Sequence, residues 1–543
     1  MPQLSPSVLN APNLDLPARR PVPTMAPLPE HRRVSYTEAT PLLSEAPPSA
    51  AAAAHAAAAA GQSGISLSDA GHKHHGVVGL NRPASTLNEL KVLVRNSIPL
   101  TMGLMLENAL NTINVLIVGR LGPGELAVVG NSSLLILVTG FPLPLAMAAA
   151  FTTLSAPLYT QVDHRYVIGQ VLQRTILLSV VLSFLIALLW WNVGPILLAL
   201  KQPEELVHGM KIYMRYASLL LPALGLFENM KSFLQVQGIM AAPPLVLLAI
   251  LPFHTLFAIY LVHYTDFGAA GAALATAATM WTAGLGLVLY VSRTRAKECW
   301  DGWTRKAWED WGSILWIAVP GALMFGSELW AFEIIALLAG RLGAHAVAAQ
   351  AIISTLDNIV AMVPYAISIG IANRVGNLLG FGARAIKRAK MTVRAGFFLE
   401  ILVSGTCGAL VLIYRHQLPY IFTDDKAVAD VAAAAAVFVA SYQVFDGLQN
   451  VGAACLRAFG RQNVGSIIHF VGYYLVGLPL GAWLGLGSPH WGLSGLWAGA
   501  AIALGCTAAS ELLFAATIKW EDEVERVQQR EIGSDSDEEE EEA

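Results

Sequence analysis

Acidic side chains inside long apolar segments are the residues of this sequence whose types and positions could do chemistry. Glu328 and Glu333 share one apolar segment, Asp357 and Asp446 lie in two later ones, and Glu107 lies in the first. A carboxylate at the centre of a bilayer costs roughly 3 kcal/mol on insertion scales, so it is normally kept beside a polar cavity or a partner. Burial favours the protonated form of a carboxyl group. Such a group can therefore carry a proton between the two sides of a membrane, and it attracts a cation when it is ionised.

The composition of the chain indicates that these segments belong in lipid. Its 543 residues are 55% hydrophobic and only 13% charged, whereas a soluble domain carries about 25% charged residues. Stretches with the ~20 apolar residues that a membrane helix needs fill the chain from about residue 94 to about residue 518. Lipid offers backbone groups no outside partner, and the stretches do not alternate as barrel strands do, so we predict helices. This composition excludes a soluble enzyme.

Twelve such segments can be counted along the chain. Their centres fall at roughly residues 105, 137, 182, 222, 254, 280, 327, 362, 402, 443, 474 and 505. An even number places both ends of the chain on one side of the membrane. Lys and Arg are concentrated on that same side, in the loops 293–306, 384–394 and 457–461, so the positive-inside rule predicts cytosolic termini. Arg120 and Arg341 lie on the other side, against the rule.

The second half of the chain repeats the first at a nearly constant shift. The tetrapeptide Gly-Arg-Leu-Gly that begins at Gly119 recurs at Gly340, and two further weak matches follow in the same order. Together they predict two six-helix halves of the same orientation, with a substrate site between them. The two further matches pair Phe233–Gly238 with Cys455–Gly460 and Phe267–Gly271 with Trp491–Gly495.

The chain is expected to divide into five parts. Residues 1–87, rich in Pro, Ser and Ala, form a disordered cytosolic tail. Residues 88–296 form a first lobe with helices one to six, 297–312 a cytosolic linker, and 313–519 a second lobe with helices seven to twelve. Residues 520–543 form an acidic cytosolic tail.

Five stretches in the second half form an ordered set of motifs: Ala318–Met324, Ser327–Glu333, Asn373–Gly380, Phe445–Gly447 and Leu456–Gln462. This set resembles the eukaryotic, fungal-like branch of the multidrug and toxic compound extrusion (MATE) family, and the resemblance covers roughly residues 88–520. It implies an all-α membrane protein with twelve transmembrane helices in two six-helix lobes, which form a V-shaped alternating-access transporter. It also implies exchange of H+ or Na+ for organic cations, drugs or metabolites, without a cofactor.

The resemblance further implies roles for individual residues. Acidic residues of the second lobe carry the proton coupling in the eukaryotic branch, and the matching residues here are Glu328 and Glu333 in helix seven and Asp446 in helix ten. The prokaryotic branch has an Asp in helix one where this chain has Asn114, which cannot change its charge. That departure argues against coupling through the first lobe and favours H+, with Na+ as the alternative.

The two glutamates of helix seven should not act at one point. Glu328 and Glu333 are five positions apart, which places them about 140° apart around a helix. Chiefly from the resemblance, we expect Glu328 to face the cavity and bind the proton. The alternative is that both carboxylates only hold helices together.

Further polar and aromatic residues are weaker candidates for the site. Asp357 in helix eight could take part in coupling or could only form a hydrogen bond between helices. Trp330 and Tyr365 could form an aromatic wall for flat cations, or could only pack.

The first lobe carries a polar stripe of its own. Glu107 and Asn111 share a helix face at i and i+4, with Asn114 close by. The stripe either lines the cavity or packs between helices. Glu228 and Lys231, at i and i+3, are interpreted as a local ion pair near a helix end.

These observations favour a secondary active antiporter that exports organic cations and other xenobiotics in exchange for protons. The partners would be membrane lipid and small organic substrates, with no nucleic acid and no obligate oligomer. An exporter or flippase of lipids or anionic metabolites with the same fold is the alternative, which the mostly acidic buried charges disfavour. A primary pump is excluded because the chain has no Gly-Lys pair and therefore no Walker loop.

The N-terminal tail contains a short sorting pattern. Glu38 followed by Leu42 and Leu43 fits an acidic dileucine signal, which an adaptor protein would read. Such signals direct membrane proteins to endosomes, lysosomes or the vacuole. The pattern favours the vacuolar or lysosomal membrane, with the plasma membrane as the alternative.

Overall fold

The computed structural model describes residues 83–161 and 165–529, and the sorting pattern at Glu38, Leu42 and Leu43 lies outside them. Within these ranges every regular element is a helix. Twelve helices correspond in order to the twelve predicted segments. They are α1 Thr86–Val118, α2 Pro123–Leu158, α3 Arg165–Trp191, α4 Leu220–Val236, α5 Ala242–His263, α6 Ala269–Arg293, α7 Trp311–Gly340, α8 Ala344–Leu379, α9 Ile386–Ile413, α10 Lys426–Phe459, α11 Gln462–Leu486 and α12 Leu493–Thr517.

Eleven helices in the described part of the chain are long and apolar enough to cross a membrane. The exception among the twelve is α4, which has only 17 residues and contains Glu228 and Lys231. It continues the shorter helix Glu204–Ala217 after a break at Ser218. Two of the others are irregular, since α2 is interrupted at Gly140 before Pro142 and α11 contains the π-helical turn Val471–Gly477.

The internal repeat has a backbone cause. Each of its three matches contains a glycine with a positive φ angle at the same place in both halves. Residues other than glycine rarely adopt this backbone conformation. These glycines occur where one helix ends or the next begins, so the repeat reflects two equivalent sets of six helices. The pairs are Gly122 (127°) with Gly343 (103°), Gly238 (79°) with Gly460 (69°), and Gly268 (52°) with Gly492 (59°).

The two lobes, α1–α6 and α7–α12, pack together on the face of the protein where α1 begins and α12 ends, here called the terminus face. Helix α1 contacts α8 and α9 there, and α2 contacts α7 and α8. A buried ion cluster joins the lobes, because Glu89 accepts hydrogen bonds from Arg374 (2.9 Å) and Arg388 (2.6 Å). A Cβ atom at Gly376 would lie 2.8 Å from that of Ala156, so the helices approach closely at this point.

Further along the same helices, away from the terminus face, polar side chains are exposed. Asn108 and Asn111 in α1 and Thr355 and Asn358 in α8 are of this kind. Polar groups within membrane helices normally face water or protein rather than lipid. Their exposure indicates a polar cleft between the lobes on the side away from the terminus face.

The segments that connect and follow the lobes are ordered. In the loop between α6 and α7, Gly302 accepts a hydrogen bond from Gln173 of α3 and Lys306 accepts one from Arg174. After α12 the chain forms another helix over residues 520–529. Its Trp520 is buried with its ring 4.9 Å from that of Phe459, so this helix packs against the second lobe.

Candidate functional site

A cavity lies between the two lobes, and most of the residues that line it come from the terminus-face halves of the helices. It contains about 670 Å³ of space not occupied by atoms, a volume that includes the part that opens outward. The first lobe contributes Thr152 and Lys231 to its wall, and the second contributes Tyr365, Asn373 and Arg457. Because α1, α2, α4, α8 and α10 all supply residues, a change in the relative position of the lobes would change this cavity.

Three charged residues of the first lobe form an ion cluster beside the cavity, and two of them, Glu228 and Lys231, line it. The Nζ atom of Lys231 lies 2.9 Å from Oε1 of Glu107 and 2.6 Å from Oε1 of Glu228. The side chain of Lys231 is 10% exposed and that of Glu228 only 3%. Two carboxylates share one ammonium group, so the cluster, called here the first-lobe triad, has a formal charge of −1 when all three groups are ionised.

The cavity floor is formed by the last turns of α10 and by α8. Arg457 donates a hydrogen bond through Nη2 to the hydroxyl of Ser368 at 2.9 Å. The hydroxyl of Thr153 donates to the carbonyl oxygen of Arg457 at 2.8 Å and accepts from the amide of Gln462 at 2.9 Å. Helix α2 of the first lobe is therefore bonded to the end of α10 at this level.

The second lobe contains a separate group of buried acids, called here the second-lobe network. Glu328 of α7 accepts a hydrogen bond from the hydroxyl of Tyr442 at 3.3 Å, and Asp357 of α8 accepts one from Gln443 at 2.5 Å. Asp446, one turn further along α10, accepts one from Asn450 at 3.0 Å. All three acids are close enough to interact electrostatically.

The network extends to α9, α11 and α12. Nε2 of His469 lies 3.1 Å from Oε1 of Glu511 and 2.9 Å from the amide nitrogen of Gln449. His469 also interacts electrostatically with Glu328, and Glu400 of α9 interacts with Asp446. These residues connect the cluster around Glu328 to the core of the second lobe.

Several polar atoms of the network are buried and have no hydrogen-bond partner among the described residues. They include Oδ2 of Asp446, Oε1 of Gln443 and Oε2 of Glu511. A buried polar atom without a partner costs about 1–3 kcal/mol. Ordered water or a bound proton would satisfy these atoms, and both are requirements for a path that conducts protons.

Comparison with known proteins identifies the chain. The family model MatE matches residues 99–260 and 320–483, one region in each lobe and more than half of the chain. The protein belongs to the MATE family. An uncharacterized transporter of Schizosaccharomyces pombe is 32% identical over 80% of this chain and 81% of its own. The human multidrug and toxin extrusion protein 1 is 30% identical over 81% of this chain and 77% of its own.

Solved structures of MATE transporters have the same fold. The eukaryotic MATE transporter AtDTX14 superposes with a TM-score of 0.76 over 82% of this chain and 99% of its own, at 23% identity. A Vibrio cholerae MATE transporter, VcmN in the bent form, gives 0.70 over 82% and 99%, at 17% identity. The predicted family and the architecture of twelve helices in two lobes are confirmed. MATE transporters need no cofactor, since the coupling ion is itself a substrate.

Within this fold, the predicted site residues of the second lobe separate into three groups. Glu328, Asp357 and Asp446 come together in the second-lobe network. Glu333 is half-buried and has no bonded partner among the described residues, so the two glutamates of α7 have different surroundings, as their spacing predicts. Tyr365 lines the interlobe cavity.

Three other predicted residues form hydrogen bonds outside the second-lobe network in this MATE structure. The amide of Asn114 donates to the hydroxyl of Thr276 in α6 at 2.7 Å, so its bond lies within the first lobe. Asn111 is exposed and accepts a weak bond from Ser133. The indole of Trp330 donates to the carbonyl oxygen of Val138 at 3.0 Å, which is a contact between the lobes.

Sequence reasoning missed several residues of both clusters. Glu228 and Lys231 form the predicted ion pair, and they also line the cavity. Lys231 contacts Glu107 as well, which the spacing did not indicate. Their signal was the presence of two opposite charges inside a predicted membrane segment. The same criterion that selected Asp357, a charged side chain inside an apolar segment, would have found Glu400 and Glu511. The sequence places Arg457 in the motif Leu456–Gln462 and among the cytosolic loop charges, and does not indicate that it lines a cavity.

Proposed function

We propose that this MATE transporter is a secondary active exporter that moves small organic cations out of the cytosol in exchange for protons. The observation that carries the proposal is the composition of the second-lobe network. Three acids from α7, α8 and α10 meet there, and the hydrogen bonds they accept come from Tyr442, Gln443 and Asn450, which are neutral. His469 acts electrostatically on Glu328 but is itself bonded to Glu511, so an ionised carboxylate in this network is only partly compensated, which favours the binding of a proton.

In this proposal Glu328 binds the transported proton, and Asp446 and Asp357 share the task. Loss of the proton leaves a buried negative charge, which is relieved by a cationic substrate in the cleft or by rearrangement of the helices. Proton and substrate then stabilise different states of the protein, as antiport requires. Glu333, with no bonded partner in the described chain, has a secondary part at most.

The ion cluster at Glu89 holds the two lobes together and closes the terminus face in the described state. Glu89 belongs to the first lobe, while Arg374 and Arg388 belong to the second, and all three side chains are buried. For the lobes to separate on the terminus face, these bonds must break. We propose that the terminus face is cytosolic, so the described state is closed to the cytosol and has its cleft towards the opposite side.

The location of the transporter follows from the same orientation and from the sorting pattern. Export from the cytosol across a vacuolar membrane uses the acidic lumen as the proton source. The plasma membrane provides a similar gradient when the outside is acidic. A single chain contains both clusters and the cavity, so the proposal needs no second copy.

The test is transport by purified protein in sealed vesicles under an imposed pH gradient. A fluorescent organic cation is the probe, and the unaltered chain is compared with Glu328→Gln and Glu333→Gln. The two variants are matched, because they make the same chemical change five positions apart in one helix. Glu328→Gln should lose gradient-driven uptake, and Glu333→Gln should retain at least half of it.

Each other result identifies a different error. Uptake that follows a sodium gradient but no pH gradient would make Na+ the coupling ion. Loss of uptake in Glu333→Gln alone would exchange the roles of the two glutamates. If no organic cation moves under either gradient, the substrate class is wrong and anionic metabolites become the next candidates.

A further inference from the structure

A second pocket lies inside the second lobe, between α8, α9 and α10. It contains about 390 Å³ of space not occupied by atoms, a volume that includes the part that opens outward. Arg415 and Leu418, which follow the end of α9, line it at the end of the lobe away from the terminus face. Asp357 and Gln443 line its inner end, and Ala432, which also lines it, precedes Gln443 by about 16 Å along α10. The pocket therefore leads from the surface of the lobe to the second-lobe network.

Helix α8 separates this pocket from the interlobe cleft. Ile353 and Val360 line the pocket and point within about 60° of Asp357 around the helix. Thr355 and Asn358, whose exposure indicates the cleft, point about 160° and 100° away from Asp357 in the opposite direction. The pocket and the cleft are therefore two different approaches to the second lobe.

The wall of the pocket is apolar and its inner end is polar. The apolar wall includes Ile352, Leu356, Val411, Ala436 and Val439. At the inner end Nε2 of Gln443 donates to Asp357, while Oε1 of Gln443 is buried and has no partner in the described part of the chain. A water molecule there would satisfy Oε1 and could bring a proton to the carboxylate. A metal or organic cation would lose its hydration in the apolar passage, which is costly.

Arg415 adds a positive charge at the entrance of the pocket. Its Nε atom donates to Nε2 of His416 at 3.2 Å, and no acid among the described residues forms an ion pair with it. A fixed positive charge repels every cation that approaches. Only a hydrated ion also loses its water shell inside, whereas a proton moves by exchange of bonds between water molecules. The entrance therefore selects protons over other cations.

We propose that protons reach Asp357 through this pocket from the side opposite the terminus face, while substrate uses the interlobe cleft, and that Arg415 keeps other cations out of the pocket. The proposal rests on the proposed function and gives its proton a separate route. The ionisable groups around Asp357 and the pocket are Glu328 of α7, Tyr442 and Asp446 of α10, Glu400 of α9, which acts on Asp446, and Arg415.

Chemical labelling tests the route without transport. Dicyclohexylcarbodiimide is an apolar reagent that attaches to protonated carboxyl groups, and peptide mass spectrometry measures its attachment to Asp357. Ala436→Phe fills the pocket, whereas Thr355→Phe places the same ring on the cleft face of α8. Labelling of Asp357 should slow at least about tenfold in Ala436→Phe, about 1.4 kcal/mol in the barrier, and less than about twofold in Thr355→Phe. Ala436→Ile, which adds less volume, replaces the first variant if the ring lowers the unfolding temperature.

Transport in vesicles tests the use of the route. Uptake of a fluorescent organic cation under a pH gradient should slow at least about fivefold in Ala436→Phe. Ala434→Phe, the same change two positions away on an exposed face of α10, should change it less than about twofold. Arg415→Gln should make this uptake fall about twofold when sodium replaces potassium, because the repulsion at the entrance is gone. Arg415→Lys, which keeps the charge, should not.

The results separate an error in the route from an error in the proposed function. If Ala436→Phe leaves labelling of Asp357 unchanged, or if Thr355→Phe protects it instead, the pocket is not the route and the proposed function stands. Normal pH-driven uptake by a folded Ala436→Phe protein whose Asp357 is protected would also overturn the proposal. If the unaltered protein shows no pH-driven uptake, the proposed function is wrong, and with it the part of the pocket in transport.

Discussion

The two lobes keep their acids in different electrostatic surroundings. In the first lobe, Glu107 and Glu228 both contact Lys231, so most of their charge is compensated in place. In the second lobe, Glu328 and Asp357 accept hydrogen bonds from neutral side chains, and His469, which acts on Glu328, is itself bonded to Glu511. A compensated pair holds its charge and position, whereas an uncompensated acid gains most from taking up a proton. In the proposed function, the first lobe binds charged groups of the substrate and the second lobe exchanges protons.

The largest expected effect on stability comes from removing the ammonium group that compensates the two carboxylates of the first-lobe triad. Lys231→Met leaves two carboxylates close together without their cation, so the free energy of unfolding should fall by about 3 kcal/mol. The measurement is thermal and denaturant unfolding in detergent. The matched control adds Glu107→Gln and Glu228→Gln, which removes the stranded charges and should recover most of the loss. If Lys231→Met is as stable as the unaltered protein, the triad is not a compensated cluster.

Substitution of an acid in the second lobe should change stability little and transport strongly. Asp446→Asn removes an ionisable group but keeps an oxygen that can accept the bond from Asn450, so stability should change by less than about 1 kcal/mol. Transport driven by a pH gradient should nevertheless fall at least about tenfold, equivalent to 1.4 kcal/mol or more. Initial uptake rates in vesicles and unfolding curves on the same sample separate the two effects. A variant that keeps its uptake, or that unfolds much more easily, would contradict the assignment of proton exchange to this lobe.

The sequence predicted the helices well because the signals for them are local. Hydropathy runs located all twelve segments, and glycines such as Gly122 and Gly343, which require positive φ angles, marked the turns of the internal repeat. The family motifs then indicated how the two lobes are built. Both kinds of signal depend only on residues close together in the sequence. They can therefore be recognised without knowing how each helix is rotated relative to its neighbours.

The partners within the site depend on those rotations and could not be predicted in the same way. Asp357 and Gln443 come from helices far apart in the sequence, and their bond requires particular faces of α8 and α10 to meet. Lys231 illustrates the same limit, since its spacing from Glu228 indicated one partner while Glu107 lies 124 positions away. Asn114, which the resemblance placed near the coupling site of prokaryotic relatives, instead bonds to Thr276.

Substitution of Asn114 should therefore have the smallest effect of the three, and it tests whether the first lobe takes any part in proton coupling. Its single bond to Thr276 is neutral and its Oδ1 atom is buried without a partner among the described residues. Asn114→Ala should cost about 1 kcal/mol of stability, the net value of one hydrogen bond, and should leave the pH-gradient dependence of uptake unchanged within about twofold. Thr276→Val removes the same bond from the other side and should give an equal, non-additive loss, because residues that share a bond are coupled. A tenfold loss of uptake in Asn114→Ala with normal stability would place part of the coupling in the first lobe, and the division of labour between the lobes would then be wrong.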